Sequence, residues 1–216
     1  MASTSKQLAG TGLLLLGFAA GAVTHASWTN LAVVEEGALY RSAQLRPGQL
    51  ADVVDELGIR TIVNLRGAKP DRRWYREQRA VANAKGVAHL DVRWSADRLP
   101  HRASLLDLLE VYRTAERPIL VHCFSGADRA GEAAAIYQME HMGRSADQAV
   151  DMLSPRFLHL AWLRPAKHYF LGFYRGGRWA RAEYDPCGAD YRYYDKDKYC
   201  APGGPGRRGQ GSRVRL

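Results

Sequence analysis

At 216 residues, 46% hydrophobic and 25% charged, the chain can bury a sizeable core as one domain with an extension, which excludes a disordered polymer. Its formal net charge of +9 would draw a phosphate-bearing substrate, an anionic lipid surface or an acidic polymer. The excess is uneven: from Arg175 to Leu216 ten Lys/Arg stand against five Asp/Glu, so this end carries +5 of it, as a solvated basic tail would too.

After Lys6 no charged residue appears until Glu35, and Leu8–Val23 reads LAGTGLLLLGFAAGAV. Small-residue stretches at Ala20–Ala22 and Thr24–Ala26 make residues 1–28 a signal peptide, or, taken to Trp28, a membrane anchor. Either reading makes the protein membrane-anchored or periplasmic/exported, with Lys6 inside. The plainer alternative is a buried core helix.

From Leu31 onward, strand-like and helix-like stretches alternate. The short apolar runs are Leu39–Arg41, Thr61–Leu65, His89–Trp94 and Ile119–His122. Amphipathic stretches lie between them, at Pro47–Leu57, Arg72–Lys85 and Ala103–Ala115, with Gly58 and Gly86 placed as C-terminal caps. Ala130–His141, Ser145–Leu153 and Pro165–Tyr174 read as further helices. Such alternation predicts an α/β domain over 31–174 with a mainly parallel central sheet flanked by helices. Residues 175–216 form a tail, Tyr-rich and then Gly/Pro/Arg-rich, and its last sixteen residues are too poor in apolar side chains to order themselves.

Of three cysteines, Cys123 lies mid-chain and Cys187 and Cys200 lie close together in the tail. In an exported chain the pair would form a disulfide, leaving Cys123 as the odd thiol; in a cytosolic one both would be free. Neither tail cysteine has another cysteine or a histidine within zinc-ligand spacing of about two to five residues, which argues against zinc.

The chemistry concentrates in Pro118–Gly131, PILVHCFSGADRAG. Cys123 and Arg129 are separated by five residues, a spacing that is weak by itself. Its setting strengthens it: an apolar β-branched run enters the cysteine, Gly126 interrupts the loop, and an Ala-rich helix opens at the arginine. A strand–loop–helix of this kind turns several backbone N–H groups into one cradle, from Phe124 through Ser125, Gly126, Ala127 and Asp128 to Arg129, at the positive end of a helix. That field binds a phosphate dianion and favours a thiolate, while Arg129 offers a planar fork to two phosphoryl oxygens. His122 either orients the loop through hydrogen bonds or is an ordinary buried strand-end histidine.

This stretch resembles the HCxxGxxR phosphate loop of the protein-tyrosine and dual-specificity phosphatases. LYRSAQL at 39–45 and GIRTIVNLRG at 58–67 extend the likeness to bacterial and to plant-and-fungal atypical dual-specificity members. The resemblance implies a phosphocysteine intermediate on Cys123, no metal or cofactor, and a mobile loop supplying an aspartate acid. Asp97, in the loop closed by Pro100, fits that role, and Asp91, inside a strand, reads as structural. Arg66 either borders the pocket or makes a structural salt bridge. Expected partners are phosphorylated proteins or small phosphoesters and a membrane, without nucleic acid.

Two positions depart from the family pattern. Ala130 replaces the Ser or Thr that assists the cysteine as leaving group, and Ala127 stands where relatives that accept inositol lipids have lysine. Phosphotyrosine is therefore the first substrate reading, with tolerance extending to phosphoserine and phosphothreonine, and phosphoinositides or inositol polyphosphates are the alternative. A phospho-binding pseudophosphatase and a sulfurtransferase are the competitors from other classes; the five-residue spacing and the following arginine argue against the latter.

Overall fold

The computed structural model describes residues 29–202. Its strands are β1 (Ala32–Glu35), β2 (Leu39–Ser42), β3 (Thr61–Asn64), β4 (Ala88–Asp91) and β5 (Ile119–His122), in the sheet order β1-β2-β5-β3-β4. β1 runs antiparallel to β2, and the other pairings are parallel. The helices are α1 (Pro47–Glu56), α2 (Arg73–Lys85), α3 (Arg102–Thr114), α4 (Asp128–His141), α5 (Ala146–Ala149), α6 (Pro165–Phe173), α7 (Gly177–Ala182) and α8 (Lys196–Tyr199).

Period-two alternation assigns the two faces of the sheet. Leu39, Val63, Ile119 and Val121 pack with Leu108 of α3, Ala134 of α4 and Phe170 of α6. Tyr40, Ile62 and Leu120 pack with Leu50 and Val54 of α1 and Ala82 of α2. Covered on both faces, β5 is buried at every position, which is why it reads as the continuous apolar run ILVH. Register places Ser42, Asn64 and His122 side by side, so the carboxyl ends of β2, β3 and β5 open on one edge, where ligands bind in open parallel sheets.

Several expectations shift. β1, half-exposed at the sheet edge, had no counterpart in the sequence reading. The predicted helix Ser145–Leu153 divides into α5, capped reciprocally by Ser145 and Gln148, and a 3-10 turn over Val150–Leu153. The strand predicted over His89–Trp94 is β4, Ala88–Asp91, beyond which Val92 N–H still donates to Asn64 O at 3.1 Å and Trp94 N–H to Leu65 O at 3.2 Å. Core residues also stand on both sides of the boundary drawn at 174, since Trp179, Ala180 and Tyr184 are buried in the cluster that holds Phe170.

The expectation of a membrane-anchored protein needs correction. Among the described residues no helix is long and apolar enough to cross a membrane. The 14 residues of α4 rise about 21 Å, against a hydrocarbon thickness of about 30 Å. The uncharged stretch within 1–28 and the low-apolar stretch 203–216 lie outside the described residues.

Candidate active site

β5 delivers Cys123 to the open edge of the sheet, and its free thiol is buried. The chain then turns through Phe124–Ala127 into α4, whose N-cap residue, Ala127, supplies no side-chain cap. The first N–H groups of that helix thus have no capping side chain.

The loop is held from behind by its carbonyls. Phe124 O accepts from Gln44 N–H at 3.0 Å, and Ser125 O accepts from Asn30 Nδ2 at 3.0 Å. Gly126 O accepts from Arg41 Nη2, and Ala127 O accepts from Gly131 N–H at 3.1 Å. In a trans peptide the N–H points opposite to the preceding C=O. Tying these four carbonyls outward turns the N–H groups of Ser125, Gly126, Ala127 and Asp128 to the inner side. Ala127 N–H also lies 3.3 Å from Ser125 Oγ.

Arg41 is the residue that sequence reasoning missed. Fully buried in β2, it donates Nη1 to Met152 O at 2.5 Å and lies 4.1 Å from the Phe157 ring centroid. Burial lowers its pKa to about 10 while Cys123 raises it, so it remains a cation at neutral pH. An arginine inside an otherwise apolar strand was the available signal.

His122 belongs to a hydrogen-bonded chain that runs in one sense. Arg66 Nη1 donates to Gln44 Oε1 at 3.1 Å, and Gln44 Nε2 to Gln78 Oε1 at 3.3 Å. Gln78 Nε2 meets His122 Nε2 at 2.6 Å, which leaves the proton on Nδ1 for the Cys123 carbonyl at 3.3 Å. Burial pushes His122 down to about 3, so it stays neutral.

Arg129 occupies the first turn of α4, and its buried Nε has no hydrogen-bond partner among the described residues. Among the described residues Arg66 forms no salt bridge of the kind considered for it. Its guanidinium stacks 3.7 Å from the Trp74 centroid and 5.2 Å from that of Phe124, which is 66% exposed. Burial and the Arg129 charge lower its pKa, and Cys123 acts in the opposite sense. Arg41, Arg66 and Arg129 thus gather positive charge at the loop.

Asp91 accepts from Asn64 Nδ2 at 2.7 Å and from the Tyr75 hydroxyl at 2.5 Å, which fixes it in the sheet. Asp97 stands in the loop after β4 with its side chain 63% exposed, its Oδ1 3.0 Å from Arg164 Nε. The same Nε lies 3.8 Å from Asp128 Oδ2, so one guanidinium reaches both the Asp97 loop and the Cys123–Arg129 loop. Asp128 also accepts from the buried His159 Nδ1 at 2.8 Å. Cys187 and Cys200 are joined by a disulfide, remote in sequence from this site. Among the described residues no group of three or more His, Cys, Asp or Glu could hold a metal ion.

The model of the tyrosine phosphatase family matches residues 23–150, more than half of the chain, and the chain belongs to that family. Among solved structures it is similar to TpbA of P. aeruginosa, at 27% identity over 68% of this chain and 86% of that one, with a TM-score of 0.52. It shares a fold with the Siw14 catalytic core, at 20% identity over 68% and 85% of the two chains and a TM-score of 0.57. A second Siw14 structure, from S. cerevisiae and described as a PP-IP phosphatase in complex with citrate, gives 22% identity over the same shares and the same score. Comparison with curated protein sequences finds no match.

Proposed function

We propose that the protein is a cysteine-dependent phosphomonoesterase acting first on phosphotyrosine. The observation that carries this reading is the row of loop carbonyls held by Gln44, Asn30 and Arg41, which turns the intervening N–H groups to the other side, towards a bound anion. Those groups and Arg129 hold three phosphoryl oxygens. The Cys123 thiolate attacks phosphorus, the bond from phosphorus to the ester oxygen breaks, and Asp97 gives its proton to the departing phenol oxygen. Water then attacks the phosphocysteine, Asp97 takes its proton, the S–P bond breaks with its electrons returning to sulfur, and inorganic phosphate leaves. The exposed Phe124 ring and the Arg66–Trp74 stack form walls suited to an aryl leaving group.

Acid quenching after mixing with a radiolabelled phosphotyrosine peptide tests the intermediate. Wild type should retain label on Cys123, and Cys123→Ser should retain none and lose all but about a millionth of turnover, the scale for loss of a nucleophile. Turnover above a few per cent in that variant sinks the thiolate mechanism.

Ala130, fully buried, brings no hydroxyl to the position after Arg129. This favours slow breakdown of the phosphocysteine, visible as a burst of phenol followed by slower turnover. In the limit of no second step the protein would bind phosphorylated partners without releasing phosphate.

A further inference from the structure

We propose that the disulfide-closed segment 187–200 is a positioning element for the general acid. It holds the Asp97 loop in place, so that opening the disulfide impairs proton delivery to the leaving group while phosphate binding persists. This inference rests on the reading of Asp97 as the acid.

The Asp97 loop has few anchors of its own. Ser95 Oγ accepts from the N–H groups of Asp97 and Arg98 at 3.2 and 3.1 Å. The rest of its support comes from elsewhere, and most of it from the end of the described chain. Leu99 N–H donates to Tyr193 O at 3.0 Å. Arg98 Nη1 lies 3.3 Å from Asp195 Oδ2. The Tyr184 hydroxyl donates to Pro100 O at 2.7 Å. His101 Nδ1 meets the Tyr194 hydroxyl at 2.6 Å, and its ring stands edge-on to Tyr199 with centroids 4.7 Å apart. From outside that end of the chain, Lys167 Nζ donates to Arg98 O at 2.9 Å and Arg164 Nε lies 3.0 Å from Asp97 Oδ1.

Four of those partners, Tyr193, Tyr194, Asp195 and Tyr199, lie inside the ring closed by Cys187 and Cys200. That segment has one helix, α8, a single turn with no buried residue, and α6 holds its first half through Tyr169, whose hydroxyl donates to Asp190 O at 2.8 Å and accepts from Arg192 N–H at 3.3 Å. Tyr193 adopts φ +58, a left-handed conformation that a bulky side chain keeps only where its surroundings impose it. Its carbonyl is the acceptor for Leu99. A cross-link restricts the conformations open to such a segment. Without it, Tyr194, Asp195 and Tyr199, which lie beyond the Tyr169 contacts, are less restrained, while the Cys123–Arg129 loop keeps its separate anchors on Arg41, Asn30 and Gln44.

The experiment compares the oxidised full chain with Cys187→Ser/Cys200→Ser, and with Asp195→Asn/Tyr194→Phe, which keeps the disulfide should the first variant fold poorly. Each is assayed on a phosphotyrosine peptide and on nitrophenyl phosphate, whose leaving group needs less help from an acid. Expected for both variants is a fall in kcat of about tenfold or more on the peptide, a change below about twofold on nitrophenyl phosphate, and unchanged inhibition by orthovanadate. Combining either variant with Asp97→Asn should add no further loss on the peptide, since both act through one group. Amide exchange at Leu99 should quicken while that at Val121 stays slow. Equal losses on both substrates, or full activity with a slow Leu99 amide, overturn the proposal. A wild-type protein that turns over neither substrate overturns the phosphatase reading itself, and this inference falls with it.

Discussion

The buried guanidinium of Arg41 donates through Nη2 to the carbonyl of Gly126, a loop residue at φ +75. With Nη1 on Met152 O, a single side chain ties β2 to the Cys123–Arg129 loop and to the turn after α5. Arg41→Lys keeps a charge but has one nitrogen for two divergent carbonyls. One buried carbonyl is then left unpaired, and stability should fall by about 1–3 kcal/mol in denaturant titrations. Inhibition by orthovanadate should weaken by about tenfold for each 1.4 kcal/mol lost from the cradle. Unchanged inhibition would show that the loop keeps its shape without this tie.

Gly126→Ala tests the loop from the other side. A Cβ there would lie 2.8 Å from Ala43 N and 2.9 Å from Ser42 C, both backbone atoms, in addition to the strain of positive φ. The loop must shift, and a displacement near 1 Å costs about a hundredfold in rate. The expected result is a fall in kcat/KM of that order, with vanadate binding weakened in calorimetry. Wild-type binding would mean that the cradle tolerates another arrangement.

Asp97→Asn and Asp91→Asn should separate cleanly. The first removes a transferable proton and should lower phosphotyrosine turnover by about 10²–10⁴-fold, with a smaller effect on nitrophenyl phosphate and a flattened basic limb of the pH–rate profile. Asp91→Asn disturbs the contacts to Asn64 and Tyr75 and should lower stability by about 1–3 kcal/mol without leaving-group dependence. Reversal of that pattern would move the acid to Asp91.

His122 gives a pH signature. Burial holds it at about 3 in the native state, whereas the unfolded chain titrates it near 6.5. Above about pH 6.5 its contribution to stability is complete. As pH falls from there towards 3, the unfolded state binds a proton that the native state refuses, and stability declines. At pH 5 this amounts to about 2 kcal/mol. His122→Asn, whose amide still reaches the Cys123 carbonyl, should lose about 2 kcal/mol less than wild type between pH 7.5 and 5 in denaturant titrations. Equal losses in the two proteins would place the proton uptake on other histidines.

The β5–loop–α4 unit was legible in the amino-acid order, because each signal there is local. A fully buried parallel strand demands an unbroken apolar run, a turn against neighbouring backbone demands Gly126, and the Ala-rich stretch after Arg129 favours a helix. For the same reason α1, α2, α3 and α6 stand within a residue of their predicted bounds at each end. The edge strand β1 lacked such a signal, being short and half-exposed. What tertiary structure alone decided is the set of partners. Arg41 reaches Gly126 across 85 positions, Gln78 reaches His122 across 44, and Tyr194 reaches His101 across 93. Helical and strand periodicities reach only a few residues along the chain, whereas these contacts were selected by how the faces of the sheet pack and by the need of buried polar groups for partners. That is why the loop could be read from fourteen consecutive letters, while the arginine behind it and the segment holding Asp97 had to be seen in place.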